Sequence, residues 1–492
     1  MNAGGGSTRL WLLRPDFPRI VGTLLLAFAC SCGRSSATAP RADGGGNGQP
    51  EGWDREVATA TPDDLNPDPH VLEINLEANL ATRELLPGIP ATVWAYNGQI
   101  PGPTLRAQVG DRVIVHFTNH LPEPTTIHWH GIRLDAAMDG TPSVQPPVEP
   151  GASFDYDFIV PDAGLYWYHP HLRSNVQVSS GLYGAILVED PAESPDFGDP
   201  LLLVLTDVPV GLDGQLPGPN PNDVIAAIWG REGNLIWVNG RVTPTVQAQR
   251  GRRQRWRLVN AAISRYFAMD FAGHSFTRIG GDRGLIESPI ASSQLVLAPG
   301  QRADVLVTPD AALGTRLPVR WLAYDRGFGT AVNRPPIDLF YVQIAAEASG
   351  AAPREVPRSL RAIEPLDLSN STAQEVNLVA VGAGYGINGV AFGTAMAEPL
   401  HATVGATDIW TVSNQTDFDH PVHLHGFFFQ ELENNSLEPK RPLEWRDTIN
   451  VTQWSDVTFA VKYDDRPGTW MFHCHILDHA EVGMMTMLEV AR

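Results

Sequence analysis

Four His-x-His pairs are the residues of this sequence whose types and spacing could do chemistry. The 492 residues include 15 histidines, a density at which chance would give roughly half of one such pair. On a β-strand, residues i and i+2 point to the same face, so the two imidazoles of a pair converge on one region. Imidazole binds copper, zinc, iron and nickel. The sequence therefore predicts metal sites at His128/His130, His169/His171, His423/His425 and His473/His475.

The last pair encloses a cysteine, Cys474, whose sulfur must point to the strand face opposite to the two flanking imidazoles. A thiolate, two imidazoles and a weak axial thioether form a blue-copper electron-transfer site. The other groups of such a site are available nearby, as His420, His479 and Met484. We therefore expect Cys474 to bind one copper while its neighbours bind others behind the strand, which makes a short covalent path for electrons.

A threefold internal repeat indicates which elements position these residues. In each copy an Asn-Gly pair is followed by a Gly and, nine residues later, by an Asn. The Asn-Gly pairs are Asn97-Gly98, Asn239-Gly240 and Asn388-Gly389, and the Gly-to-Asn stretches are 110–119, 251–260 and 405–414. Alternating apolar and polar residues in these stretches predict strands, and Asn-Gly favours a turn with positive φ. Each repeat predicts one antiparallel β-sandwich, and only the first and third carry His pairs. The lone His274 of the middle repeat is expected to be structural.

Composition and charge narrow the function classes. The net charge of −20 argues against a nucleic-acid partner, because phosphates would be repelled. The 46 Gly and 41 Pro favour many short strands over long helices. With Cys30 and Cys32 in the N-terminal leader, Cys474 has no partner in the mature chain, which excludes an internal disulfide framework.

The N-terminus has the composition of an export leader. The apolar run at 20–29 follows three arginines; it is too short to span a bilayer but suits a signal peptide. Residues 1–32 are predicted to be a signal peptide or a lipoprotein leader, in which Cys30 or Cys32 would be lipidated. Residues 33–65 are predicted to be a flexible tether. We expect export, to a periplasmic, outer-membrane-tethered or extracellular location.

The four motifs together resemble those of the three-domain multicopper oxidases, a family that includes laccases, bilirubin oxidases and bacterial cuprous oxidases. In order they read His-Trp-His-Gly, His-Pro-His, His-Pro-Val-His-Leu-His-Gly and His-Cys-His…His…Met. The resemblance runs from about residue 70 to 492 and includes 255–260 and 297–305 in the middle repeat. It implies an all-β fold of three consecutive cupredoxin-like Greek-key β-sandwich domains. The predicted limits are 66–192, 193–348 and 349–492, with boundaries near 190–199 and 347–358.

The resemblance implies four copper ions as cofactors. The type 1 copper would be held by His420, Cys474 and His479, with Met484 axial. The remaining ligand sets would be His128 and His423 for type 2, His130, His169 and His475 for one type 3 copper, and His171, His425 and His473 for the other. The three-copper cluster would lie between the first and third domains, and the middle domain would be a spacer that sets their distance.

The family mechanism passes single electrons from a reductant to type 1 copper and through Cys474 to His473 and His475, where dioxygen is reduced to water. The sequence gives weaker indications of the residues that donate protons. Asp139 stands where the family has an acid beside the cluster, although an Asp-Gly turn explains it equally well. The glutamate usual after the last type 1 histidine is replaced by Ala480, and Glu481 is the candidate substitute.

The predicted reductant is a small organic molecule, a phenol or an aromatic amine, as in laccases. The enzyme is expected to be a monomer. The eight Met form no methionine-rich insert, and 346–364 stands where one would be. The type 1 site is therefore expected to be open, with 438–447 and 325–335 as candidate pocket walls. The alternatives are a cuprous oxidase or copper-resistance protein and a bilirubin oxidase. A redox-inactive scaffold and a two-domain nitrite reductase fit less well, because every copper ligand and a third domain are present.

Overall fold

The computed structural model describes residues 57–86, 88–193, 197–217, 224–327, 333–349, 354–433 and 437–492. The predicted leader and the tether as far as residue 56 lie outside these residues. Within the described residues, no helix is both long enough and apolar enough to cross a membrane.

The described chain consists of short strands with three short α-helices. The first third contains β1 (Val71–Leu86), β2 (Ile89–Tyr96), β3 (Gly102–Gln108), β4 (Arg112–Asn119), β5 (His128–His130), a 3₁₀ turn (Ala136–Met138), β6 (Ser153–Ile159), β7 (Gly164–His169), α1 (Ser174–Gln177) and β8 (Gly184–Glu189). The second contains β9 (Asp199–Val208), α2 (Val224–Trp229), β10 (Leu235–Val238), β11 (Thr245–Arg250), β12 (Gln254–Asn260), β13 (Phe267–Asp270), β14 (Phe276–Gly281), β15 (Gly284–Ser292), β16 (Gln294–Leu297), β17 (Arg302–Val307), β18 (Arg316–Leu322) and β19 (Ile337–Glu347). The last contains β20 (Thr372–Val381), β21 (Gly384–Ile387), β22 (Leu400–Thr403), β23 (Thr407–Asn414), β24 (His420–Leu424), β25 (Phe429–Leu432), β26 (Thr448–Val451), β27 (Asp456–Lys462), β28 (Gly468–Cys474), α3 (Leu477–Glu481) and β29 (Met485–Ala491).

Each third of the described chain folds into two sheets whose first four strands follow the same order, and the second and third copies add strands at the edges. The sheets are β2-β1-β4-β6 with β3-β8-β7-β5, then β10-β9-β12-β17-β14-β15 with β11-β19-β18-β13-β16, then β21-β20-β23-β27-β25 with β22-β29-β28-β24-β26. Buried side chains of both sheets share a core, which makes each third a cupredoxin-like sandwich, as the sequence predicts. The predicted boundary segments connect β8 to β9 and β19 to β20.

The sandwiches are not purely antiparallel, which differs from the expectation. In every copy the first long strand pairs in parallel with the repeat strand: β1 with β4, β9 with β12 and β20 with β23. Alternating hydrophobicity defines the buried face of a strand but not the direction of its neighbour, so the sequence pattern could not reveal these pairs.

The repeated asparagine has a structural role. The side-chain amide of Asn119 donates to the backbone carbonyls of Glu123 and Val148, at 2.9 and 2.8 Å. Asn260 and Asn414 make the equivalent bonds in their own domains. Each buried asparagine thus ties the end of its strand to two loops, which explains its fixed distance from the preceding turn glycine. The three Asn-Gly turns also have positive φ at both residues, as predicted.

The end of the predicted tether packs against the domains. Val57 is buried in the core of the second sandwich, and its carbonyl accepts a hydrogen bond from the side chain of Asn239 at 2.5 Å. The backbone of Thr104 in turn donates to Ala60 at 2.8 Å. These bonds fix residues 57–60, although their small and polar composition resembles that of a linker.

Candidate metal centre

Two pairs of neighbouring strands carry the histidines. In the first domain, β5 and β7 are antiparallel partners whose register places His128 opposite His169. In the third domain, β24 and β28 are partners with His423 opposite His473. The structure brings the four His-x-His pairs together in one buried cluster, in which every member is at most 9% exposed.

Three imidazole nitrogens of this cluster point at one another. The Nε2 atom of His473 lies 3.3 Å from Nε2 of His171 and 3.1 Å from Nε2 of His425. Each of these rings is buried. Three ring nitrogens from both domains therefore converge as the ligands of one metal ion do.

His128 and His423 form a matched pair with fixed tautomers. The Nδ1 atom of His128 donates to the carbonyl oxygen of Asp139 at 2.9 Å, and that of His423 donates to the carbonyl oxygen of Asp447 at 2.9 Å. The Nε2 atom of each ring is buried without a hydrogen-bond partner. A proton held on Nδ1 leaves a lone pair on Nε2, which is the usual arrangement of a metal-binding histidine.

The third group consists of His130, His169 and His475. The ring centroid of His475 lies 5.0 Å from that of His130 and 5.6 Å from that of His169. Buried nitrogens without partners occur on all three rings: Nδ1 of His130, Nε2 of His169 and both nitrogens of His475. Unpaired buried polar atoms are costly, and a bound cation would satisfy them.

The protonation states also suit a metal. Burial lowers the pKa of His473 to about 3. Burial likewise holds the pKa well below its usual range for His130, His169, His171, His425 and His475. At neutral pH these rings are uncharged, and each can offer a nitrogen lone pair. The residues present thus fit a cluster of metal ions bound by imidazole.

A separate site surrounds Cys474. Its sulfur lies 3.5 Å from Nδ1 of His420 and 3.8 Å from Nδ1 of His479, and these two nitrogens are 3.2 Å apart. Burial raises the pKa of the Cys474 thiol and lowers that of His420 to about 3. Burial alone favours the protonated thiol, whereas a bound cation would lower its pKa and hold it as thiolate. Met484 is buried beside the site, and its backbone is hydrogen-bonded to Cys474 and His479.

This cysteine site is covered, which differs from the expected open pocket. His420 and His479 have no exposed surface. The Nε2 atom of His479 donates to the carbonyl oxygen of Ile228 in α2 at 3.1 Å, and the hydroxyl of Tyr385 donates to the same oxygen. Covering by a segment of another domain leaves no local pattern around the histidines, so the sequence could not predict it.

The two candidate pocket walls have different positions. Of segment 325–335, residues 325–327 lie beside the cysteine site, where the carbonyl of Arg326 accepts a hydrogen bond from the backbone N–H of Asp419. Segment 438–447 instead packs on the middle domain, through Leu443 and Glu287. In segment 346–364, the described part after residue 353 also lies on the middle domain, where the backbone N–H of Leu360 donates to the carbonyl of Glu287. The described residues of these two segments make no hydrogen bond to His420, Cys474 or His479.

Asp139 lies at the cluster, and Glu481 does not. The Oδ2 atom of Asp139 accepts a hydrogen bond from Nδ1 of His425 at 2.9 Å. The Oε1 atom of Glu481 accepts instead from the backbone N–H and the hydroxyl of Ser174, at 2.6 and 2.8 Å. Glu481 therefore anchors α1 to α3, and the described residues give its carboxylate no contact with a cluster histidine.

Sequence reasoning missed Asp447 and the contact made by Trp167. The carboxylate of Asp447 lies 3.3 Å from Nε2 of His130. The indole of Trp167 stacks on His169 with ring centroids 4.2 Å apart. Trp167 stands two residues before His169 on β7 and therefore shares its strand face, whereas Asp447 is remote in sequence from the histidine motifs.

Three models of multicopper oxidase domains match the chain, at residues 78–193, 216–315 and 361–492. The chain belongs to the multicopper oxidase family. It is 31% identical to the multicopper oxidase MmcO of Mycobacterium tuberculosis, over 80% of this chain and 82% of that protein. It is 27% identical to a laccase of Bacillus subtilis, over 85% and 94% of the two chains.

A solved multicopper oxidase from Campylobacter jejuni, described as a metallo-oxidase, has the same fold. The TM-score is 0.78, with 28% identity over 88% of this chain and 94% of that one. This oxidase is accordingly a copper-dependent oxidoreductase that uses dioxygen as its acceptor. In this family the buried histidines and the Cys474 site are where copper is expected to bind.

Proposed function

We propose that this multicopper oxidase is laccase-like and oxidises phenols or aromatic amines by single electrons, with reduction of dioxygen to water. The observation that carries the proposal is the position of Cys474 on β28, between His473 and His475. The sulfur faces the His420 and His479 site while its two neighbours belong to the buried cluster. One residue thus links an electron-accepting site to a dioxygen-reducing site.

We further propose a complement of four copper ions. The type 1 ion would be held by His420, Cys474 and His479, with Met484 as a further weak ligand. The other ligand sets are His128 and His423 for type 2, and His130, His169, His475 and His171, His425, His473 for the two type 3 ions. The matched tautomers of His128 and His423, and the convergence of three Nε2 atoms at His473, support this division.

When bound, the coppers supply one-electron acceptance at the type 1 position and four-electron reduction of dioxygen at the cluster. The chain supplies the geometry and the protons. The backbone of His473, Cys474 and His475 joins the two sites covalently. Asp139 holds its carboxylate against Nδ1 of His425, where it can deliver protons to the cluster.

The cover of the type 1 site supports an organic reductant. Helix α2, whose Ile228 carbonyl accepts a hydrogen bond from His479, also carries exposed apolar side chains: Val224, Ile225 and Trp229 are each about half exposed or more. None of them is a methionine, whose soft thioether binds cuprous ion. An aromatic reductant would pack on this apolar surface and pass its electron through the Ile228 carbonyl to His479.

Cuprous oxidation is the second candidate, because the Campylobacter relative is described as a metallo-oxidase. The two candidate functions differ in the reductant that the enzyme oxidises and in whether turnover of phenols needs added copper. The test is oxygen uptake by the fully metallated enzyme with a dimethoxyphenol, with and without excess cupric ion, and with cuprous ion. We expect phenol turnover that needs no added copper. Activity seen only with excess copper, or cuprous ion as by far the best reductant, would replace the laccase reading by the cuprous one.

We propose the remaining assignments on the sequence alone. The chain is exported through residues 1–32, with lipidation at Cys30 or Cys32 as a membrane tether. It acts as a monomer with domains at 66–192, 193–348 and 349–492. Mass spectrometry of the mature N-terminus from a native-type host would test the first of these, since a lipid adds a diagnostic mass to the cysteine.

A further inference from the structure

Arg302 contacts all three domains with one buried side chain. It is the first residue of β17 in the middle domain, and its side chain has no exposed surface. Its Nη1 atom donates to Oδ1 of Asp447 in the third domain at 2.7 Å, and Nη2 donates to the other carboxylate oxygen. Its Nε atom donates to the carbonyl of Leu165 in the first domain at 2.9 Å.

The remaining donors of this guanidinium are bound within the middle domain. Nη1 also donates to the carbonyl of Gly300, and Nη2 to the carbonyl of Asp282, both at 3.0 Å. Arginine has five N–H donors in a rigid plane, and all five are used here. The orientation of the guanidinium, and with it the carboxylate of Asp447, is therefore fixed from several directions.

Asp447 in turn holds two cluster histidines. Its backbone carbonyl accepts the Nδ1 proton of His423 at 2.9 Å, and its Oδ1 atom lies 3.3 Å from Nε2 of His130. The Thr448 hydroxyl donates to the same Oδ1 at 2.8 Å. The Oδ2 atom of Asp282 also accepts the backbone N–H groups of Asp447 and Thr448. Residues of the middle domain thus hydrogen-bond both the backbone and the side chain of Asp447, which orients these rings.

We propose that Arg302 is a positioning residue for the type 2 copper, acting through Asp447 on His423, and that the same Asp447 carboxylate orients His130 of the neighbouring type 3 set. The proposal rests on the copper set proposed above. It changes the role of the middle domain from that of a spacer to that of a support for the cluster. Groups that orient metal-binding histidines typically contribute about 10- to 100-fold to metal affinity, and we expect a change of this size at the type 2 site.

The experiment compares Arg302→Lys and Arg302→Met with a control, Arg278→Met. Arg278 also bridges the middle and third domains, through Glu444, but it does not touch Asp447. Each protein is loaded with copper, equilibrated with a graded chelator, and assayed for copper per chain and for the type 2 signal in electron paramagnetic resonance. The blue absorption of type 1 copper is recorded in parallel as an internal reference.

We expect both Arg302 variants to lose type 2 copper at chelator concentrations about 10- to 100-fold lower than the parent protein does. The blue band of type 1 copper should persist. Lysine should do better than methionine because it keeps the charge but not the two-point contact. Arg278→Met should bind like the parent. If Arg302→Met does not fold, the type 2 copper binding of Arg302→Lys alone tests the positioning role.

Unchanged type 2 binding in the Arg302 variants would overturn the positioning role. Equal loss in Arg278→Met would overturn it as well, because any weakening of the domain interface would then suffice. A parent protein that shows no type 2 signal after loading would instead contradict the proposed copper set. The failure of this inference is thereby distinguished from the failure of the proposed function.

Discussion

In the proposed function the electron path depends on Cys474, because its sulfur and its two neighbours in sequence face different sites. We expect Cys474→Ser to lose the blue charge-transfer absorption and all oxidase turnover, since a hydroxyl is a poor ligand for type 1 copper. The cluster histidines are untouched and should still bind about three coppers per chain, by the ligand sets proposed above. Absorption spectra and metal analysis check both points, and an intensely blue mutant would refute the type 1 site.

Asp139 allows proton delivery to be separated from simple orientation of His425. Asparagine at this position keeps a carbonyl oxygen that can accept the Nδ1 proton of His425, whereas alanine does not. If the carboxylate delivers protons, Asp139→Asn and Asp139→Ala should both lower kcat by roughly 100-fold or more, with the blue band unchanged. Near-normal kcat in the asparagine variant would leave orientation as its only role.

At the scale of elements, α2 covers the proposed type 1 site through the hydrogen bond between the Ile228 carbonyl and His479. If reductants pack on its apolar side chains, Trp229→Ala should raise KM for phenols severalfold, because aromatic contacts contribute about 0.5 to 1.5 kcal/mol beyond buried area. The blue spectrum should not change, since no ligand is touched. Ile159→Ala removes an apolar side chain exposed on β6 and serves as the control. Equal KM values for all three proteins would show that reductants bind elsewhere.

The elements also show what could be read from the sequence. Strands β4 and β23 were predictable because their side chains alternate between buried and exposed, and the His-x-His pairs because strand geometry fixes their direction. The parallel pairing of β1 with β4, the cover by α2 and the contacts of Arg302 were not predictable. Each depends on which distant segments meet, and a local pattern of apolar residues does not encode that.

Across the whole molecule, ion pairs join the middle and third domains. Glu444 is almost fully buried between Arg278 and Arg446, and although burial opposes it, these two guanidinium groups lower the pKa of Glu444 to about 2. A carboxylate whose folded pKa is depressed contributes stability above its unfolded pKa, and this is lost as the pH falls through the folded value. Glu444→Gln should therefore cost about 3 kcal/mol at neutral pH.

This destabilisation should shrink as the pH falls from about 4.5 toward 2, because the parent carboxylate then becomes protonated as well. Thermal unfolding midpoints of the parent and of Glu444→Gln, measured from pH 7 down to pH 3, check the trend. A difference in midpoint that stays constant over this range would mean that the charge of Glu444 is not what stabilises the interface.

The burial of the histidine cluster between two sandwiches has a consequence for the maturation of the enzyme. Its rings come from β5 and β7 on one side and from β24 and β28 on the other, and none is more than 9% exposed. We therefore expect copper to enter mainly before these strands meet or during a transient separation. In a chain that has folded without copper, the rate of copper uptake by the cluster should therefore follow the rate of domain separation and not the rate of diffusion of the ion. Copper present during folding should accordingly give more active enzyme than the same copper added after folding.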